Sequence, residues 1–118
     1  MKEQSMSLTS LEERLSYHFQ DPTLLSHALI HPSFSNEQAK EASNQRLEFL
    51  GDAVLELISS TVLYDRKPVL QEGLMTKLRA ALVCEPALAI VARTLHLSEY
   101  IVLGKGEQLR IDLFYTFL

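Results

Sequence analysis

Residues 44–64 constrain this chain more than any other part of it. Leu47, Leu50 and Val54 fall three and four residues apart, the spacing of one helical face and not the alternation of a strand. Asp65-Arg66-Lys67-Pro68 closes the run, as a proline just past a helix end does. One long helix is therefore predicted, and shorter stretches repeat the pattern. A first helix is expected after Thr9 or Ser10, either of which can cap it, with Leu11, Leu15 and Phe19 inward and Glu12 and Glu13 in its first turn. Asp21-Pro22 reads as N-cap and first helical position for a second helix carrying Leu24, Leu25, Ala28 and Leu29, which His31-Pro32-Ser33 stops. Residues 35–43 are polar and read as a loop. Further helices are expected over residues 71–83 and from Pro86, the latter carrying Leu88, Val91, Ala92 and Leu95. Residues 97–103 are short and apolar, Gly104-Lys105-Gly106 punctuates them, and residues 108–118 could form a last helix with no visible cap. No long alternating run is present, so the predicted fold class is all-α.

Composition bounds the rest. A chain of 118 residues fits one domain, residues 1–118, and can bury a core; 47% apolar and 22% charged residues are ordinary for a globular protein. Charges interrupt every apolar run well short of the ~18 residues that a membrane span needs. Residues 1–10 have neither the apolar core nor the cleavage pattern of a secretory signal. The single cysteine, Cys84, has no internal disulfide partner and is expected to be a buried, inert thiol in a reducing cytoplasm. A net charge of −4 and a pI near 5.5 argue against gripping nucleic acid by charge alone. They do not exclude a nuclease, because an acidic metal site lowers the count and meets phosphate through its ion.

The chemistry concentrates on the long helix. Glu48 and Asp52 are four residues apart, which puts their Cβ atoms roughly 5–6 Å apart on one face. Glu56 continues the stripe and Gln45 precedes it, while Arg46 and Arg66 lie off it. Like charges at this spacing repel, and a hard divalent cation such as Mg²⁺, which takes a few carboxylate oxygens and keeps several waters, would relieve them. Spacing alone leaves a solvated acidic face as the other reading. Gly51 costs helix stability, which suggests a close approach to the backbone there. Phe49 lies between the acidic stripe and the Leu47/Leu50/Val54 face, so it belongs either to the core or to an interface.

Arg46-Leu47-Glu48-Phe49-Leu50-Gly51-Asp52-Ala53-Val54-Leu55 resembles the signature helix of the ribonuclease III family. His31-Pro32-Ser33-Phe34 resembles the segment that precedes it there, Glu72-Gly73-Leu74-Met75-Thr76-Lys77-Leu78-Arg79-Ala80-Ala81-Leu82-Val83 the helix that follows, and Leu103-Gly104-Lys105-Gly106-Glu107 the next turn. These blocks occur in the right order over residues 8–107. The resemblance implies a catalytic domain that dimerises through its signature helix, with Phe49 in the interface. It implies an endonuclease cutting double-stranded RNA with Mg²⁺, Mn²⁺ being an alternative, and leaving 5′-phosphates and short 3′ overhangs. Glu48 would be a metal ligand and Asp52 would act beside the metal and the attacking water. Each half of a symmetric dimer would cut one strand. Work in RNA processing, ribosomal precursors included, a cytoplasmic location, no membrane and no organic cofactor follow from the same likeness.

The family completes its metal site with an Asp and, three residues on, a Glu. Asp112 matches the first as a catalytic and metal residue, but Tyr115 stands in the second position, and a phenol with a pKa near ~10 is a poor Mg²⁺ ligand. The alternative reading of Asp112 is a surface residue on a tail. Two explanations compete: a shortened or frame-disrupted chain, or a divergent member that no longer cuts. The double-stranded RNA-binding domain usual after this domain is not found. The alternatives to an endonuclease are therefore an inactive dimer of the same fold that binds RNA or serves a structural role, and an all-α nucleotide hydrolase. Glu72 reads as an outer carboxylate or a helix-start charge, Lys77, Arg79 and Lys105 as phosphate contacts or solvated cations, and His31 as a helix-end packing residue.

Overall fold

The computed structural model describes residues 2–34 and 43–104, and five α-helices account for most of them. The all-α fold class holds among the described residues. The first helix, α1, spans Lys2–Leu15 and begins well before Thr9 and Ser10, so neither residue caps it. No glycine or proline interrupts residues 2–8, and good helix formers among them extend the helix upstream. It ends where Ser16 takes a left-handed backbone, φ 53°. The chain then doubles back: the Phe19 N–H donates to Glu12 Oε2 at 2.6 Å, and His18 Nδ1 lies 3.1 Å from the same oxygen. Phe19 thereby packs on the core from beyond the helix, while Leu15 is left exposed.

The second helix, α2, spans Pro22–Ala28. Asp21 caps it as expected, its Oδ1 accepting from the Thr23 hydroxyl at 2.5 Å and the Thr23 N–H at 3.0 Å. Those two bonds, the hydroxyl's first, hold the Asp21 carboxyl below the usual carboxylate range. Leu25 and Leu29 point inward and join Leu11, which is 1% exposed, in a small core; Leu24 faces out.

Phe19, Leu95, Leu97, Tyr100 and Ile101 pack around that core, so the segment over residues 95–101 closes it against α1 and α2. Polar ties reinforce the closure. The Tyr100 hydroxyl donates to Ser10 Oγ at 3.1 Å, Arg14 donates to the Leu95 carbonyl at 3.2 Å, and its guanidinium lies 5.9 Å from the Tyr100 ring centre. Ile30 and Val102 form a parallel bridge, with the His31 N–H on Val102 O at 3.0 Å and the Val102 N–H on Leu29 O at 2.9 Å.

The long helix, α3, spans Gln45–Tyr64, and α4, Glu72–Val83, packs back along it. Ser59 and Leu63 of α3 are buried, 8% and 7% exposed, and Arg79 of α4 donates to Ser60 Oγ at 3.0 Å. The fifth helix, α5, spans Glu85–Thr94 and follows with Pro86 in its first turn. Leu88 and Val91 are exposed, and Leu95 reaches the core. Cys84 sits at the surface elbow between α4 and α5, so the expected buried thiol is instead exposed; its Sγ donates to Ala81 O at 3.3 Å. Among the described residues no helix is long and apolar enough to cross a membrane.

Candidate active site

With about 100° of turn per residue, Glu48, Asp52 and Glu56 fall on one side of α3, together with Ser59 and Leu63. Because Ser59 and Leu63 are the buried residues of α3, the acidic stripe continues the side on which this helix packs. Asp52 and Glu56 border an open hollow of about 530 Å³ between α3 and the α4–α5 elbow, lined also by Phe49, Leu50, Val83 and Leu88.

All three carboxylates are exposed, and none has a hydrogen-bond or ion-pair partner among the described residues. Unpartnered oxygens one turn apart fit a hard divalent cation, which is commonly held by one or two carboxylates while it retains water. The described residues do not complete a site, since they hold no group of three or more potential ligands. Asp112 and Tyr115, like Lys105, lie outside the described residues.

Phe49 is 84% exposed, which removes the core reading within this chain. Leu50, Val54, Leu57 and Ile58 fall on the side of α3 opposite the carboxylates and are all exposed. The helix thus carries its acids on the side that holds Ser59 and Leu63 and an exposed apolar stripe on the other. Sequence reasoning named Phe49 but missed the extent of this outer stripe. Gly51 has nothing within 4 Å of the position where a Cβ would stand, so the expected close approach is not found among the described residues.

Other residues are placed elsewhere. Glu72 lines a second hollow of about 400 Å³ with Ser60, Tyr64, Met75 and Arg79. Ser60 is eight residues, roughly 12 Å, along α3 from Asp52, so Glu72 belongs to the far end of the helix. Arg79 is half-buried and committed to Ser60, acting as a tie between α3 and α4, whereas Lys77 remains an exposed cation. His31 packs where expected: its Nδ1 accepts from the Ser33 N–H at 3.0 Å and lies 2.7 Å from Ser33 Oγ. Ser33 Oγ in turn accepts from the Gly104 N–H at 3.0 Å, a knot that no motif announced.

Residues 21–111 match the family model described as Ribonuclease-III-like. Among curated proteins the chain is 52% identical over 100 residues to Ribonuclease 3 of Listeria welshimeri, covering 83% of this chain and 44% of that protein. It is 48% identical over 103 residues to Ribonuclease 3 of Caldanaerobacter subterraneus, covering 86% and 45%. The fold is similar to a nuclease domain of ribonuclease III from Campylobacter jejuni, with TM-score 0.78 and 43% identity over 87% of this chain and 69% of that one. That domain is described as structurally flexible in the region involved in dimer formation. A second structure of the Campylobacter jejuni domain gives TM-score 0.76 at 40% identity. The chain spans less than half the length of the curated relatives it matches. On the family match, the shared helical order and the carboxylates of α3, this chain belongs to the ribonuclease III family.

Proposed function

We propose that this chain forms the nuclease portion of an endonuclease that cleaves double-stranded RNA with a divalent metal, Mg²⁺ or Mn²⁺, as a homodimer working in cytoplasmic RNA processing. The observation that carries the reading is the pair Glu48 and Asp52: free carboxylates one turn apart on the inner side of α3, beside the exposed Phe49. Glu48 and Asp52 would hold the metal, with Asp112 as a third carboxylate. A bound divalent ion supplies an activated water and neutralises charge on the phosphate. Asp52 lies next to the open hollow, where it can orient a water and take its proton.

The rest of α3 supports dimerisation. Phe49, Leu50 and Val54 make an exposed apolar surface of the kind that a soluble chain covers with a partner. A two-fold dimer presents the same patch from both copies and so gives two sites, one for each strand of a duplex. The test is Mg²⁺-dependent cleavage of a long RNA duplex by this chain beside a Glu48→Gln variant, which keeps the shape and removes the charge. Cleavage by the parent and its loss in the variant is expected. Absence of cleavage by the parent sinks the enzyme reading.

A second reading has one specific feature in its favour. Tyr115 stands where the family carries a Glu, which would leave a dimer that binds duplex RNA without cutting it. Duplex binding that Mg²⁺ does not convert to cleavage would select it.

A further inference from the structure

We propose that Asn44, together with His27, is a positioning residue that sets where the carboxylate end of α3 lies against the body of the domain; the idea rests on the metal reading of Glu48 and Asp52. Asn44 occupies the N-cap of α3, where an asparagine side chain ordinarily accepts from a first-turn N–H. It makes no such bond, and its backbone, φ −82° and ψ 8°, is not the extended conformation of a capping residue. The side chain is turned to another use. Its Nδ2 donates to the carbonyl of Ala28, the last residue of α2, at 2.8 Å, and its backbone N–H donates to Ile30 O at 2.9 Å. One residue earlier, the Ser43 carbonyl lies 2.9 Å from His27 Nε2. A carbonyl only accepts, so Nε2 carries the proton.

Three hydrogen bonds thus pin residues 43–44 to the end of α2, which Leu25 and Leu29 anchor in the core. The pin is rigidly connected to the site, since the Glu48 N–H donates to Asn44 O at 2.8 Å and Phe49 is the next residue. The amide's orientation leaves Asn44 Oδ1 buried without a partner. A residue kept to start a helix would satisfy that oxygen with a first-turn N–H. Here the donor takes precedence, and what the donor secures is the placement of α3.

Asn44→Asp separates the two roles. Aspartate has the same shape and caps at least as well, but it cannot donate to Ala28 O. Capping alone predicts an unchanged or more stable protein. Positioning predicts that the amides of residues 44 and 48 exchange about tenfold faster while those near Leu63 hold. It also predicts Mn²⁺ affinity, read by the spin signal of the free ion, about tenfold weaker. His27→Gln, which keeps an N–H for Ser43 O, should behave as the parent does, whereas His27→Ala should follow Asn44→Asp. Parent-like exchange at residues 44 and 48 in Asn44→Asp overturns the proposal. Faster exchange there in a chain that neither binds Mn²⁺ nor cuts duplex RNA upholds the pin and removes the metal reading.

Discussion

Replacing Gly104 by alanine should destabilise the protein through a single contact. A Cβ at this position would overlap the Ser33 carbonyl oxygen and stand 3.0 Å from its carbon. The backbone of Gly104 is not in the left-handed region, so alanine meets no conformational objection and the effect is purely steric. Ser33 cannot yield cheaply. It lies two residues past His31, whose N–H bonds Val102 O beside the Ile30–Val102 bridge, and its own N–H is tied to His31 Nδ1. Separating the two segments also stretches the bond from the Gly104 N–H to Ser33 Oγ. Overpacking of this kind costs about 1–3 kcal/mol and the weakened hydrogen bond about another 1 kcal/mol, so a loss of roughly 2–4 kcal/mol is expected. Urea unfolding measures it as a lower midpoint at unchanged slope. Ser33→Ala serves as the control, because it removes the hydroxyl bonds without the clash and should cost less. A Gly104→Ala change within about 0.5 kcal/mol of the parent would refute the reasoning, since that is the range of an unremarkable surface substitution.

Four further outcomes follow from the same geometry. Gly51→Ala, with open space around it, should raise monomer stability by about 0.5–1 kcal/mol in thermal unfolding. Leu11→Ala empties the most buried side chain of the small core and should cost about 2–5 kcal/mol in the same assay. Asp21→Ala should lower the urea midpoint at neutral pH. Since the folded carboxyl titrates below the unfolded one, that difference is complete above the unfolded value of about 3.9 and disappears as the pH falls through the folded one. Phe49→Glu should shift sedimentation toward the monomer without lowering helix content, and an unchanged mass would remove Phe49 from the dimer face.

Helix periods were legible because they depend only on spacing along the chain. The N-cap of α2 was legible too, Asp21-Pro22 being a local chemical signal. The start of α1 was not, because Thr9 and Ser10 carry a capping signature that upstream helix formers override. Cys84 was misjudged because apolar neighbours in sequence do not make an elbow buried in space. For the site, the shared face of Glu48 and Asp52 could be computed from their numbers. Which way that face points could not, since it depends on the tertiary packing that buries Ser59 and Leu63. The knot of His31, Ser33 and Gly104 joins residues 71 apart in the chain, a pairing that spacing does not encode.

The orientation of α3 joins its two proposed roles. Like-charge repulsion between Glu48 and Asp52 costs only a few tenths of a kcal/mol in water, so it gives the chain little reason to find a cation. The outer stripe is a larger matter. Leu50, Val54, Leu57 and Ile58 are each about half exposed and would contribute roughly 3–7 kcal/mol if fully covered, before the cost of association is subtracted. Assembly over that side of the helix therefore has a greater driving force than relief of the carboxylate repulsion. Phe49 lies between the two sides and borders the same hollow as Asp52. A partner seated on Phe49 would exclude water from that hollow and lower its effective dielectric, which strengthens the pull of two carboxylates on a cation. Metal affinity should accordingly depend on protein concentration and weaken in Phe49→Glu, even though that residue bears no metal ligand. If the two carboxylates bound Mn²⁺ equally well in monomer and dimer, the outer and inner sides of α3 would be independent and this coupling would be wrong.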